Sequence, residues 1–183
     1  YKRQDNEEDA NHAAGQVFFL SACWGAVLVL IAVLLAEPIL RALGAIPDVM
    51  PLAHSYLVVV SFGAPAHVFM LVTASLIRGS GDAVKPMTMM ITASVLNMVL
   101  DPFLILGLGP FPAWGVTGAA LATVVAQCIG MSMGLYYLLG RQTTFRIRAS
   151  HVAPDFQLVA HILRVGMPAS TQEITESLAF CLL

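Results

Sequence analysis

Charged residues are scarce in this 183-residue chain: Asp, Glu, Lys and Arg make up 11% of it, whereas 58% is hydrophobic. A soluble domain usually carries about 25% charged residues. Together with a mean hydropathy of +0.80, the scarcity excludes such a domain and predicts an all-α integral membrane protein. The nine Lys and Arg residues lie in the polar breaks between apolar runs. They form no basic patch of the kind that binds nucleic acid.

Cysteine is equally uninformative about chemistry. The three cysteines lie in apolar runs without CxxC or metal-ligand spacing, which predicts small packed side chains at Cys23, Cys128 and Cys181. His54 and His67 are isolated in one apolar run, so packing or pore lining is favoured over metal binding. We expect neither a structural metal nor an organic cofactor.

No signal peptide opens the chain. Residues 1–15 are polar and lack an apolar core followed by a small-residue cleavage site. We therefore expect a cytoplasmic loop at residues 1–15, and a chain that begins within a longer protein.

Long apolar runs are what the sequence has instead. We predict four membrane helices at about 16–36, 49–77, 87–108 and 115–139. Pro65 should kink the second, because it leaves the carbonyl of Ser61 without a donor. In the fourth, small residues recur at every fourth position and should allow close helix packing: Gly118, Ala122, Ala126, Gly130 and Gly134. A basic, polar linker at 140–156 precedes a fifth apolar segment at 157–183.

Turn chemistry separates the second and third spans. Glycines 79 and 81 can end one helix, Asp82 can cap the next, and Pro86 suits its first turn. We expect a tight hairpin with an Arg78–Asp82 ion pair. The segment lacks the Gly-Lys-Ser/Thr ending of a phosphate-binding loop.

Basic residues predict the orientation of the helices. All but Arg41 lie on one side of the predicted zigzag: Lys2, Arg3, Arg78, Lys85, Arg141, Arg146, Arg148 and Arg164. The positive-inside rule then places residue 1, the 78–85 turn and the 140–156 linker in the cytoplasm.

A narrow polar stripe crosses the third span. At ~100° per residue, Ser94, Asn97 and Asp101 lie within about 60° of one another. A carboxylate at membrane depth is costly and marks ion or proton pathways. The structural alternative is that Asn97 bonds another helix and Asp101 pairs with the backbone opened by Pro102.

Four stretches resemble the multidrug and toxic compound extrusion (MATE) transporters: LIRGSGDAVKP at 76–86, NMVLDP at 97–102, GVTGAALAT at 115–123 and VGMPASTQEITESLAF at 165–180. The likeness is to the prokaryotic type, including the group named after DNA-damage-inducible protein F. It implies a twelve-helix protein with two six-helix lobes, of which this fragment holds helices three to seven. The rest of its own chain would then be its main protein partner.

The resemblance also implies an ion-coupling site. Asn97 and Asp101 match two polar positions of the first lobe, Thr123 a third, and Tyr56 a nearby aromatic one. In the second lobe it selects Glu176, eight residues after Pro168. From the residues alone, Thr123 can instead bond its own helix backbone, and Tyr56 can be an interfacial anchor.

The implied function is secondary active efflux of small amphipathic organic compounds across the cell membrane, by alternating access and without enzymatic chemistry. The coupling ion would be a proton, or sodium held by Asp101, Asn97 and Thr123. A flippase for lipid-linked precursors is the first alternative, although the spans hold no basic residue before Arg164. A membrane-embedded lipid-modifying enzyme is the second, although no cluster of acids or histidines supports it.

Overall fold

The computed structural model describes residues 2–140 together with Asp155, Ala160 and Arg164. Residues 2–140 contain no strand, which confirms the all-α class, and their helices are α1 Lys2–Ala42, α2 Met50–Ser61, α3 Ala64–Gly79, α4 Val84–Leu106 and α5 Val116–Leu139. Among the described residues, three helices are long and apolar enough to cross a membrane, or four if α2 and α3 form one span.

The chain divides into two compact units, one formed by residues 1–20 and 147–183 and the other by residues 21–146. In the first unit, the buried Gln16 side chain accepts a hydrogen bond of 2.9 Å from the backbone N–H of Asp155. Helices α2 to α5 belong to the second unit and position the candidate site. Most of the linker and fifth segment predicted at 140–183 lies outside the described residues.

Helix α1 begins earlier and ends later than the sequence predicted. Residues 2–15 are helical, so the predicted loop is wrong about conformation. Polar composition indicates that a segment lies outside an apolar layer, but it does not exclude a helix. The Lys, Arg, Gln, Glu and Ala residues of this segment all favour helix. At the other end the helix continues through Pro38 to Ala42, and Glu37 forms an ion pair with Arg41 one turn later.

Helices α2 and α3 meet at a short break with a bend of 45°, which confirms the kink predicted at Pro65. Pro65 lies in the first turn of α3, where a missing N–H costs nothing to that helix. Gly25 of α1 packs against this break, since a Cβ placed there would lie 2.7 Å from Pro65 Cα.

Asp82 controls the turn between α3 and α4. Its Oδ1 accepts hydrogen bonds from the backbone N–H groups of Val84 and Lys85, at 3.0 and 3.2 Å. The predicted capping role is confirmed. The predicted Arg78–Asp82 pair is wrong: the Lys85 ammonium lies 2.7 Å from Asp82 Oδ2, and Arg78 donates to Ser75 Oγ instead. The Lys85 side-chain hydrogen bond lowers the pKa of the Asp82 carboxyl below its usual value.

The small residues of α5 face the other helices and are all buried: Gly118, Ala122, Ala126, Gly130 and Gly134. A Cβ placed on Gly118 would lie 2.2 Å from the carbonyl oxygen of Leu104, so α4 and α5 meet backbone to backbone there. At Gly130 the Met70 sulfur of α3 occupies the corresponding space, because a Cβ placed on Gly130 would lie 2.5 Å from it. The predicted close packing is confirmed.

Apolar side chains also cover the outside of these helices. Trp24, Leu34 and Met98 are between 59 and 69% exposed, which suits a surface that a lipid bilayer covers. Cys23 and Cys128 are exposed as well, so their predicted packing is wrong. An outward position is acceptable in an apolar surrounding because a free cysteine behaves as a small hydrophobic residue.

Candidate functional site

Asn97 and Asp101 lie one turn apart on α4, where the helix geometry brings their side chains together. Asn97 Nδ2 donates to Asp101 Oδ1 at 3.4 Å, and both side chains are partly buried. Pro102 follows immediately within the same helix. Its missing N–H leaves the carbonyl of Met98 without its usual helical donor. The middle of α4 therefore offers a carboxylate, an amide and a weakened stretch of backbone.

Thr123 of α5 joins this pair from the neighbouring helix. Its Oγ1 accepts a hydrogen bond of 3.3 Å from Asn97 Nδ2 and donates one of 3.0 Å to the carbonyl of Ala119. Thr123 therefore bonds its own helix backbone, the interpretation based on the residue alone, and it also contacts Asn97 of α4. Asp101, Asn97 and Thr123 are called the polar cluster below.

An open cleft of about 200 Å³ lies beside the polar cluster, between α3, α4 and α5. Asn97 and Thr123 reach it from the cluster, and the remaining walls combine apolar side chains with three further polar ones: Met70, Met90, Ala93, Ala126, Ser94, His67 and Gln127. Methionine walls are flexible and polarisable, which suits ligands of varied shape. Ligand sites commonly combine such walls with a few polar groups.

Two cleft residues carry buried polar atoms without a partner. His67 Nδ1 and Gln127 Oε1 have no hydrogen bond within the described part of the chain. Gln127 Oε1 rests on Gly63, at the break between α2 and α3, where a Cβ would lie 2.3 Å from it. Neither residue was among the site residues predicted from the sequence. The four-residue spacing of Thr123 and Gln127, which places both on one face of α5, was the sequence feature that could have indicated Gln127.

The structure does not bring every predicted site residue to this cleft. Tyr56 lies on α2, is 37% exposed and is not among the residues that line the cleft. Glu176 lies outside the described residues. Within the described ranges, no group of three or more His, Cys, Asp and Glu side chains could hold a metal ion.

Apolar helices of membrane-spanning length around a polar cluster are typical of a membrane transporter. The model of the MatE family matches residues 4–103, more than half of the chain. The chain belongs to the MatE family, whose members are transporters and not enzymes.

Relatives and solved structures agree with this assignment. The chain is 32% identical over 146 residues to the FAD transporter of Shewanella oneidensis, covering 78% of this chain and 32% of that protein. It is 29% identical over 177 residues to the probable multidrug resistance protein YoeA of Bacillus subtilis, covering 95% and 38%. A crystal structure of MATE in the bent conformation superimposes with a TM-score of 0.85 at 32% identity, covering 96% of this chain and 39% of that one. The chain thus spans about a third of the length of these relatives.

Proposed function

We propose that this chain is part of a secondary multidrug exporter in which the polar cluster binds the coupling cation. The observation that carries the proposal is the Asn97 amide, which contacts the Asp101 carboxylate at 3.4 Å and Thr123 Oγ1 at 3.3 Å beside the cleft. A membrane acid tied to groups on two helices is suited to report its protonation or ion binding to both. The ion then changes the helix contacts that surround a bound drug.

The orientation of Asn97 favours a proton over sodium as the coupling ion. Its amide nitrogen, not its oxygen, faces Asp101 and Thr123. Sodium needs oxygen ligands, so the amide would have to turn to coordinate it. A proton binds to the carboxylate itself and requires no such turn. Both contacts are longer than the usual ~2.9 Å, and a small movement between α4 and α5 can tighten or release the one from Asn97 to Thr123.

The cleft suits small amphipathic organic compounds, neutral or cationic. Met70 and Met90 provide apolar walls, and no Lys or Arg side chain is among its described lining residues. A relative transports FAD by its name, but the pyrophosphate of FAD and the phosphates of lipid-linked precursors call for basic partners. The lining therefore supports drug export over FAD transport or a flippase. Alternating access would require the full two-lobed protein in the cell membrane.

Transport in proteoliposomes tests the proposal. The full-length, two-lobed protein is reconstituted, and ethidium efflux is followed by fluorescence. A pH gradient and a sodium gradient are imposed in separate experiments. We expect the pH gradient to drive efflux and radiolabelled FAD not to be carried. Efflux that responds to neither gradient would refute cation coupling, and gradient-driven FAD transport without ethidium transport would refute the substrate class.

A further inference from the structure

We infer that His67 and Gln127 form a second polar subsite of the cleft, which selects exported compounds that carry an N–H or O–H donor. The inference rests on the proposed export function and names a specificity determinant within it. Both residues line the cleft, and both hold a buried polar atom without a hydrogen-bond partner. They are separate from the polar cluster that we assign to the cation.

The positions of the two residues explain why they act together. Gln127 follows Thr123 by four residues on α5, a displacement of about 6 Å along the helix axis. Gln127 packs against Gly63, and His67 follows Gly63 by one turn of α3, with its backbone N–H bonded to the Gly63 carbonyl at 2.9 Å. The α2–α3 break and α5 therefore present His67 and Gln127 to the same part of the cleft. The polar cluster meets the cleft one turn away, at Thr123.

The unpartnered atoms define the chemistry of the ligand. Gln127 Oε1 is an acceptor, and His67 Nδ1 is an acceptor when the ring proton is on Nε2. A buried acceptor without a donor is unfavourable, and neither atom has a hydrogen bond within the described residues that a ligand would have to break. Gln127 Oε1 rests on Gly63, so the subsite requires the terminal side-chain torsions to turn and bring the acceptors to the cleft when a ligand binds. A ligand donor then gains a bond at little cost to the protein.

The neighbouring side chains indicate what carries the donor. Met70 and Met90 line the same cleft, and methionine sulfur makes favourable contacts with aromatic rings. An aromatic amine can place its ring against the methionines and its N–H groups on His67 and Gln127. The subsite should therefore distinguish aromatic amines from aromatic cations that lack a donor.

Two probes of equal charge test this distinction. Ethidium carries two aromatic amino groups, whereas tetraphenylphosphonium has aromatic rings and no N–H. The dissociation constants of the two cations are measured on the purified full-length protein, in its native form and as the variants His67→Leu and Gln127→Met. These variants remove the acceptor at similar size. We expect the ratio of the ethidium constant to the tetraphenylphosphonium constant to rise about 3- to 10-fold in each, the effect of one neutral hydrogen bond.

Control variants separate this effect from a general loss of structure. Cys128→Ala changes the exposed neighbour of Gln127 and should leave the ratio within about 2-fold. His67→Gln keeps an acceptor and should restore most of the preference. If His67→Leu does not fold, Gln127→Met decides the matter.

The outcomes distinguish this inference from the proposed function. The subsite would be overturned if folded His67→Leu and Gln127→Met kept the native ratio of the two dissociation constants, or if Cys128→Ala shifted that ratio equally. Drug export would still stand in either case. A native protein that binds neither cation would overturn both.

Discussion

Asn97 of α4 donates a hydrogen bond of 3.3 Å to Thr123 Oγ1 of α5, and the same amide nitrogen contacts Asp101. One side chain thereby ties the membrane carboxylate to a second helix. Any change in the charge of Asp101 alters the interaction with Asn97 and hence the contact between α4 and α5. In the proposed coupling, this route from Asp101 through Asn97 to Thr123 carries a change in the charge of Asp101 to α5.

Thr123→Val should weaken this route without removing the carboxylate. Valine keeps the shape of threonine but cannot accept from Asn97, at a cost of about 0.6 kcal/mol, the average for hydrogen bonds between membrane helices. We expect the external proton concentration for half-maximal efflux to shift while the protein still folds. Thr117→Val, on the same helix and outside the polar cluster, is the matched control. Equal behaviour of the two variants would contradict a role for Thr123.

Gly118→Ala should destabilise the α4–α5 contact. The added Cβ would lie 2.2 Å from the carbonyl oxygen of Leu104, and because that oxygen is backbone, the helices must separate. Overpacking of this kind costs about 1 to 3 kcal/mol. We expect a lower melting temperature in detergent.

Gly79→Ala provides the comparison for that measurement. Nothing lies within 4 Å of its added Cβ, at the end of α3, and alanine favours helix. Its melting temperature should be unchanged or slightly raised. Equal melting temperatures for the Gly118 and Gly79 variants would show that the close contact is not limiting.

Local patterns predicted the parts of this site that depend on a single helix. Asn97 and Asp101 share a face because helix geometry alone sets their four-residue relationship. Pro65 predicted the break between α2 and α3, since proline removes a backbone donor wherever it stands. The repeat of small residues on α5 likewise predicted a close contact, because spacing fixes the face.

Features that depend on packing between helices escaped sequence reasoning. Gln127 reaches Gly63 only because α5 packs against the α2–α3 break, so its unpartnered oxygen is a tertiary property. Thr123 was selected through resemblance for the same reason. The Arg78–Asp82 pair was predicted across the hairpin, but Gly81 has a φ of +92° and the chain turns between the two residues. Asp82 then lies nearer to Lys85, in the first turn of the next helix.

The turn before α4 should respond to acid in a defined way. The Lys85 hydrogen bond lowers the pKa of Asp82, so Asp82 stabilises the folded protein above the unfolded carboxyl value of about 3.9. That stabilisation is lost as the pH falls through the lower folded value. Asp82→Ala should reduce the melting temperature at pH 7, and Asp82→Asn should do so less because asparagine still caps a helix.

Melting temperatures between pH 7 and pH 3 check this prediction. The difference between the native protein and Asp82→Asn should begin to shrink at the acid end of the series, below about pH 3.9, where the carboxyl of the unfolded chain takes up a proton before that of the folded one. A difference that is constant over the whole range would argue against the Lys85 pair.

Asp101→Asn tests the coupling role most directly. The amide oxygen can still accept from Asn97, so folding and much of the drug affinity should remain, but the side chain can no longer take up a proton. We expect gradient-driven ethidium efflux to be abolished, whereas Glu37→Gln, at the exposed acid of α1, should transport normally. A purely structural Asp101 would instead tolerate the amide, because removing a membrane charge is often neutral or stabilising. Efflux near the native rate at every imposed pH and sodium gradient, normalised to folded protein, would remove Asp101 from the mechanism.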